Sequence, residues 1–166
     1  VEGLVKRAKA AEEIFSVVSQ EKADQVVKEI GKLFYYHAEE FAKAARDETE
    51  MGNYQSKVNK HKKVTMGHMA YLKDKKSVGL LDYDYVNKVA TFAKPKGVVA
   101  CVTPVTNPTV TIAGNGMCIF KSRNAMIVAS HPKAVNCTKL VVGKSREVIK
   151  SLGLPEDIIQ CIEYPS

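Results

Sequence analysis

The feature that most constrains this chain is a pair of short apolar runs, each leading into a turn that carries a proline. Residues 98–102 (VVACV) and 125–129 (AMIVA) are too short to span a membrane, and their continuous apolar character is that of strands buried on both faces. Pro108 and Pro132 then stand where a helix should begin, a position that suits a residue with no backbone N–H and a φ fixed near the helical value. The helix opened by Pro132 runs to about residue 152, stops at Gly153-Leu154-Pro155, and gives way to a third strand over 158–162. Strand, helix, strand, helix, strand is the βαβαβ unit of a doubly wound parallel sheet. Three parallel strands make only half of such a sheet. The expectation is therefore an α/β fold with a Rossmann-like half-sheet, truncated, with an open edge at 158–162.

The segment before this unit is helical by periodicity. Leu4, Val5, Ala8, Ala11, Ile14, Phe15 and Val18 recur at spacings of three and four and share one face, so residues 1–19 read as an amphipathic helix rather than an export signal. Ser19 is placed to cap a second helix starting at Gln20. Val26, Val27, Ile30, Leu33 and Phe34 form its stripe, and Ala38, Phe41, Ala42 and Ala45 suggest another helix or a bend near Gly31. Gly52 should end that stretch, and a further helix is expected from Tyr54 to about Lys75. Two short runs, 78–81 and 89–93, then flank the turn-rich Asp82-Tyr83-Asp84-Tyr85 as a hairpin. The chain divides into a mainly helical part (1–76), a hairpin (77–96) and the βαβαβ unit (97–166).

With 166 residues, 45% of them hydrophobic, there is enough material for one core. The formal charge of +7 is concentrated in Lys57, Lys60, Lys62, Lys63, Lys73, Lys75 and Lys76, which raises nucleic acid as a partner. This stretch has few arginines and aromatics and no base-stacking signature, so it reads as a solvated helix face that at most helps to draw in a polyanionic cofactor. The cysteines, Cys101, Cys118, Cys137 and Cys161, form no C-x-x-C pair and sit among apolar neighbours. They read as buried structural thiols of a reducing compartment. His61 and His68 lie seven apart without a third ligand and His37 stands alone, so no metal site is expected.

Ligands of an open α/β sheet bind at the carboxyl ends of its strands. Two junctions qualify. In the first, Val102-Thr103-Pro104-Val105-Thr106-Asn107-Pro108, Asn107 is the natural helix cap. It either does only that, or its amide oxygen caps while its NH2 donates towards a substrate oxygen. In the second, Ala129-Ser130-His131-Pro132, a helix N-terminus favours anions. There His131 either bonds a ribose or phosphate or merely closes the turn. No G-x-G-x-x-G follows any strand, and Gly114 and Gly116 fall inside a helix, where glycines permit close packing.

The stretches GVVACVTPVTNPTVT and KSRNAMIVASHPKA, supported by ETEMGNYQSKV, YLKDKKSVG and GLPEDIIQCIEYPS, resemble the CoA-acylating branch of the aldehyde dehydrogenase superfamily over essentially the whole chain. Within it they are most similar to CoA-dependent succinate-semialdehyde dehydrogenases, and next to the aldehyde dehydrogenase half of bifunctional aldehyde-alcohol dehydrogenases. The resemblance implies an oxidoreductase that interconverts an aldehyde, such as succinate semialdehyde or acetaldehyde, and its acyl-CoA, with NAD or NADP as cofactor and coenzyme A as co-substrate. It implies that Asn107 donates to the oxyanion formed when a cysteine attacks the aldehyde. By the same resemblance Val102, Thr103, Pro104, Val105 and Thr106 line the cofactor cleft, and Ser130, His131 and Pro132 lie by the adenosine ribose. His131 departs from the lysine and glutamate environment of the non-acylating branch, and Gly114 and Gly116 replace bulkier residues, which should loosen their helix. The family's nucleophilic cysteine belongs to a later, glycine-preceded context that none of the four cysteines matches. The chain is thus expected to be the N-terminal part of a nicotinamide-binding domain, without the catalytic domain, from a cytoplasmic homo-oligomer that binds neither nucleic acid nor membrane. The competing reading is a non-catalytic α/β module that binds a nucleotide or a partner.

Overall fold

The computed structural model describes residues 1–165. Four helices come first: α1 (Glu2–Phe15), α2 (Gln20–Tyr36), α3 (Ala38–Thr49) and α4 (Tyr54–Leu72). A hairpin of β1 (Gly79–Asp84) and β2 (Val89–Ala93) follows. The chain then runs through β3 (Val98–Thr103), α5 (Pro108–Lys121), β4 (Ala125–Ser130), α6 (Val135–Ser151) and β5 (Ile159–Cys161). The fold is the mixed α/β architecture the alternation predicts.

β3, β4 and β5 form a parallel sheet in that spatial order, with Val98 opposite Ala125 and Thr103 opposite Ser130. Successive side chains of a strand point to opposite faces. On one face Gln160 ties β5 to α1, donating to the Leu4 carbonyl at 3.1 Å and accepting from Arg7 at 3.1 Å. The other face carries Met126 against α5 and is closed by α5 and α6. Phe15 and Phe120, 6.5 Å apart and edge to face, join α1 to α5 at the centre of the core. Ser19 caps α2 by accepting the Lys22 N–H, and Asn53 caps α4 by accepting that of Ser56.

Several expectations change. β3 is not buried on both faces: it is an edge strand, and Val102 is 77% exposed. Among the described residues only β4 is flanked on both sides, and its run is interior except for half-buried Ala129. In the doubly wound order the second half of a sheet adds beside the first strand, so the open edge that matters is β3 as well as β5. The hairpin turn lies at Tyr85-Val86-Asn87-Lys88 rather than 82–85, because the Asp84 carboxylate accepts the N–H groups of Val86 and Asn87, both at 2.9 Å. There is no bend at Gly31. α2 runs straight through it because Met69 of α4 packs where a Cβ would stand. The break falls at His37, and α3 stops before Gly52, with Glu50 in the left-handed region at φ 56°. Ile14 is 58% exposed, at the margin of the α1 stripe. α6 starts only after a 3-10 turn over Pro132–Ala134. The exposed Cys118 lies three residues from Asn115 on the outward face of α5, and Cys161 is half-buried, so only Cys101 and Cys137 are interior thiols.

Gly114 and Gly116 do not loosen α5. A Cβ on Gly114 would stand 3.1 Å from Cε1 of His68, whose ring is fixed by its bond to the Val64 carbonyl at 2.8 Å. The glycine lets α4 lie against α5. Gly114→Val should therefore destabilise the chain by about 1–3 kcal/mol, the usual cost of overpacking. Urea unfolding measures it, and a variant as stable as the parent would show that the ring yields freely.

Candidate functional site

The parallel pairing of β3 and β4 sets both predicted junctions side by side. Thr103 and Ser130 face each other in register, both are buried, and neither hydroxyl has a hydrogen-bond partner among the described residues. Beyond Thr103 the chain leaves through exposed Pro104, half-buried Val105 and exposed Thr106 to reach Asn107.

Asn107 occupies the cap position of α5, but its side chain makes no capping bond. Its Oδ1 accepts instead from Nζ of Lys60 at 2.9 Å, while its Nδ2 donates to the Thr106 hydroxyl at a long 3.3 Å. The Asn107 carbonyl takes up the start of the helix, accepting both the N–H and the hydroxyl of Thr111. One turn earlier on α4, Nζ of Lys57 donates to the Thr106 carbonyl at 2.8 Å. His61 completes the group, with Nδ1 2.8 Å from the Lys57 carbonyl and Nε2 2.8 Å from the Thr109 hydroxyl. A carbonyl can only accept, so Nδ1 carries the proton and Nε2 accepts. Burial pushes the His61 pKa down, the Lys57 carbonyl bond opposes this, and the two lysine charges reinforce it, keeping the ring neutral. Burial, followed by the charge of Lys60, likewise lowers the pKa of Lys57. Lys57, Lys60, Thr106 and Asn107, with Gly52 and Asn53, line a cavity of about 340 Å³. A larger apolar cleft of about 410 Å³ between α2 and α4 lies away from the strand ends.

The second junction is less open to a ligand than a helix N-terminus suggests. His131 is exposed and its Nδ1 accepts the Lys133 N–H at 3.1 Å, closing the turn. Pro132 is exposed beside it. The first free N–H groups of α6, those of Asn136 and Cys137, already bond the Glu48 carboxylate at 2.8 and 2.6 Å. An internal anion thus fills the place expected for an external one. Burial would raise the Glu48 pKa, but the bonds from Cys137 and Asn136 outweigh it and hold it below the ordinary carboxylate value.

None of the four thiols is set up as a nucleophile. The Cys137 pKa is pushed up to about 12, by burial first and then by Glu48, and burial raises those of Cys101, Cys118 and Cys161. Among the described residues no cluster of three or more His, Cys, Asp or Glu is arranged to hold a metal. The residues that sequence reasoning missed are Glu48, Lys57, Lys60, His61 and Thr109. Three of them had a signal: Lys57, Lys60 and His61 are spaced i, i+3 and i+4 at the start of a helix, on one face of it. The reading of that stretch as a solvated face fails for Lys57 and His61, which are 7% and 2% exposed.

The aldehyde dehydrogenase family model matches residues 1–165. The chain is 46% identical over 164 residues to a sulfoacetaldehyde dehydrogenase of Acholeplasma sp, covering 98% of this chain and 34% of the relative. It is 44% identical to the succinate-semialdehyde dehydrogenase (acetylating) of Clostridium kluyveri, covering 100% of this chain and 37% of the relative. The crystal structure of a probable aldehyde dehydrogenase from Listeria monocytogenes EGD-e superimposes with a TM-score of 0.96 at 33% identity, over 99% of this chain and 36% of that one. Two others, each with a TM-score of 0.84 at 26% identity, cover 99% of this chain. They are an engineered glycolyl-CoA reductase with bound NADP+, covered over 37% of its length, and a Rhodopseudomonas palustris propionaldehyde dehydrogenase with bound propionyl-CoA, covered over 36%. The chain spans about a third of the length of these relatives.

Two expectations follow from the geometry. Because the folded Glu48 pKa is depressed, its stabilising contribution is complete above the ordinary carboxylate value and is lost as pH falls through the lower folded value. Glu48→Gln should therefore cost stability at neutral pH and flatten the acid limb of the stability curve, measured by urea unfolding at a series of pH values. Native alkylation should label Cys118 first and leave Cys101 and Cys137 protected until unfolding, and peptide mass mapping of a short iodoacetamide pulse reads that order directly.

Proposed function

The chain belongs to the aldehyde dehydrogenase family, and on that premise we propose that the protein carrying it is a CoA-acylating aldehyde dehydrogenase that interconverts an aldehyde and its acyl-CoA with a nicotinamide cofactor. This chain would form the N-terminal part of the nicotinamide-binding domain. The observation that carries the reading is the amide of Asn107: its oxygen is occupied by a lysine, so the NH2 is the end left to a ligand at the carboxyl end of β3. A preorganised donor at that place stabilises the oxyanion that develops when a cysteine thiolate, from a part of the protein outside this chain, attacks the aldehyde carbonyl.

The residues present fit a nicotinamide cofactor. Exposed Val102 offers an apolar surface on the open edge strand, and the unpartnered hydroxyls of Thr103 and Ser130 await polar atoms at the strand ends. Val102, Thr103, Pro104, Val105 and Thr106 would line the cofactor and Ser130, His131 and Pro132 would meet its ribose, NAD and NADP both being admissible. When bound, such a cofactor would supply the hydride acceptor, and coenzyme A would be the acceptor of the acyl group. The candidate substrates are succinate semialdehyde and acetaldehyde from the resemblance above, and sulfoacetaldehyde from the name of a relative.

Among the described residues no helix is long and apolar enough to cross a membrane. The four free thiols are the feature that supports a cytoplasmic location. The β1–β2 hairpin exposes Leu80, Leu81 and Phe92, a surface suited to oligomer formation. Nothing in the fold or the comparisons favours a non-catalytic module. The nucleic-acid reading loses ground too, since Lys57 is buried against Thr106.

Asn107→Ala, in a polypeptide that extends this chain through a catalytic half, should lower kcat by about a hundredfold. Stability should change by less than the roughly 1 kcal/mol of a lost helix cap, since the side chain makes no capping bond. Steady-state kinetics with aldehyde, CoA and nicotinamide decides it, and normal turnover in the variant would remove Asn107 from the chemistry.

A further inference from the structure

The site contains two lysines to which the oxyanion reading assigns no role of their own. Lys57 and Lys60 stand one turn apart on α4 and reach two consecutive residues of the β3–α5 turn, Thr106 through its carbonyl and Asn107 through its amide oxygen. Neither is paired with a carboxylate among the described residues, although Lys57 is 7% exposed. A cation is costly to bury without a counter-charge, so its place beside this turn calls for an explanation.

Lysine has three donors and no acceptor, so the amide atom 2.9 Å from Nζ of Lys60 has to be the oxygen. Without that bond the oxygen has another customary partner. Asparagine at a helix N-cap turns its oxygen onto the N–H of the second or third helical residue, and Asn107 stands at that position before Pro108. Lys60 holds it away from the helix and fixes which end of the amide is free. A cation on the oxygen also draws electron density from the amide and strengthens its N–H groups as donors. Lys57 secures the backbone one residue earlier, and His61 holds the Thr109 side chain two residues later.

We propose that Lys60 is the positioning residue of the oxyanion donor: it orients and polarises the Asn107 amide, with Lys57 bracing the turn beneath it. The inference rests on the reading of Asn107 given above. The test separates the two.

In a polypeptide that extends this chain through a catalytic half, Lys60→Met should lower kcat at least about tenfold, the scale of one charge-assisted hydrogen bond. KM for the aldehyde should stay unchanged. Stability should be equal or higher, because the released amide can then cap α5, and a purely structural role would give the opposite. Lys60→Arg, which restores a cationic donor, should recover part of the lost kcat. In an Asn107→Ala background Lys60→Met should have no further effect on kcat. In the chain itself, the side-chain amide resonances of Asn107 in a 1H–15N spectrum should shift in Lys60→Met and move back towards the parent positions in Lys60→Arg. If Asn107→Ala leaves kcat intact, the oxyanion reading falls and this inference with it. If Asn107→Ala is damaging but Lys60→Met is not, or if the two losses multiply, the oxyanion reading stands and the positioning role is overturned. Unmoved Asn107 amide resonances in Lys60→Met would overturn it as well.

Discussion

The register of β3 on β4 is the constraint on which the rest of this structure depends. Val98 pairs with Ala125, and five residues on Thr103 pairs with Ser130, so two loops 27 residues apart in sequence leave the sheet at one place. A parallel pair cannot be closed by a tight turn, so α5 has to cross between the strands, and its N-terminus comes to the same end. Because β4 is flanked on both sides, its side chains are interior and fix that register. A slip of one residue would turn Met126 and Val128 out of the face they share with α5 and α6.

The helices before the sheet then act as a scaffold for the carboxyl ends of its strands. α4 lies against α2 where Gly31 admits Met69, and against α5 where Gly114 admits His68. Held between these contacts, its first turns present Lys57, Lys60 and His61 to the turn at 106–109. α3 does the same for the second junction through Glu48. Each strand-end loop is therefore gripped by a helix some 50–90 positions earlier in the chain, through charge-assisted bonds that orient groups more than they add stability.

Much of this was legible from the residues. The apolar runs, the prolines at 108 and 132 and the stop at Gly153 gave the βαβαβ order, and the strand-end rule pointed to Asn107 and His131. The misreadings have physical causes. A continuous apolar run marks a strand whose two faces meet apolar surface, but it says nothing of which neighbours this chain supplies, so β3 read like β4. The run 78–81 could be followed by a turn at 82–85 on composition alone. Only the bonds of the Asp84 carboxylate set it three residues later. Gly31 and Gly114 read as weak points in helices because the partner that needs their missing side chain lies on another helix.

What the sequence determined by itself was local: period, cap and proline set where helices and strands begin and which way the chain enters them. Which amide end of Asn107 is free, which anion meets α6, and whether a lysine is solvated or buried were decided only by tertiary packing. The reason is that Lys57, Lys60 and Glu48 act on residues 47 to 89 positions away. Local composition shows that these side chains are charged. The charge they meet, and the atom they hold, exist only once α3 and α4 are packed against the sheet.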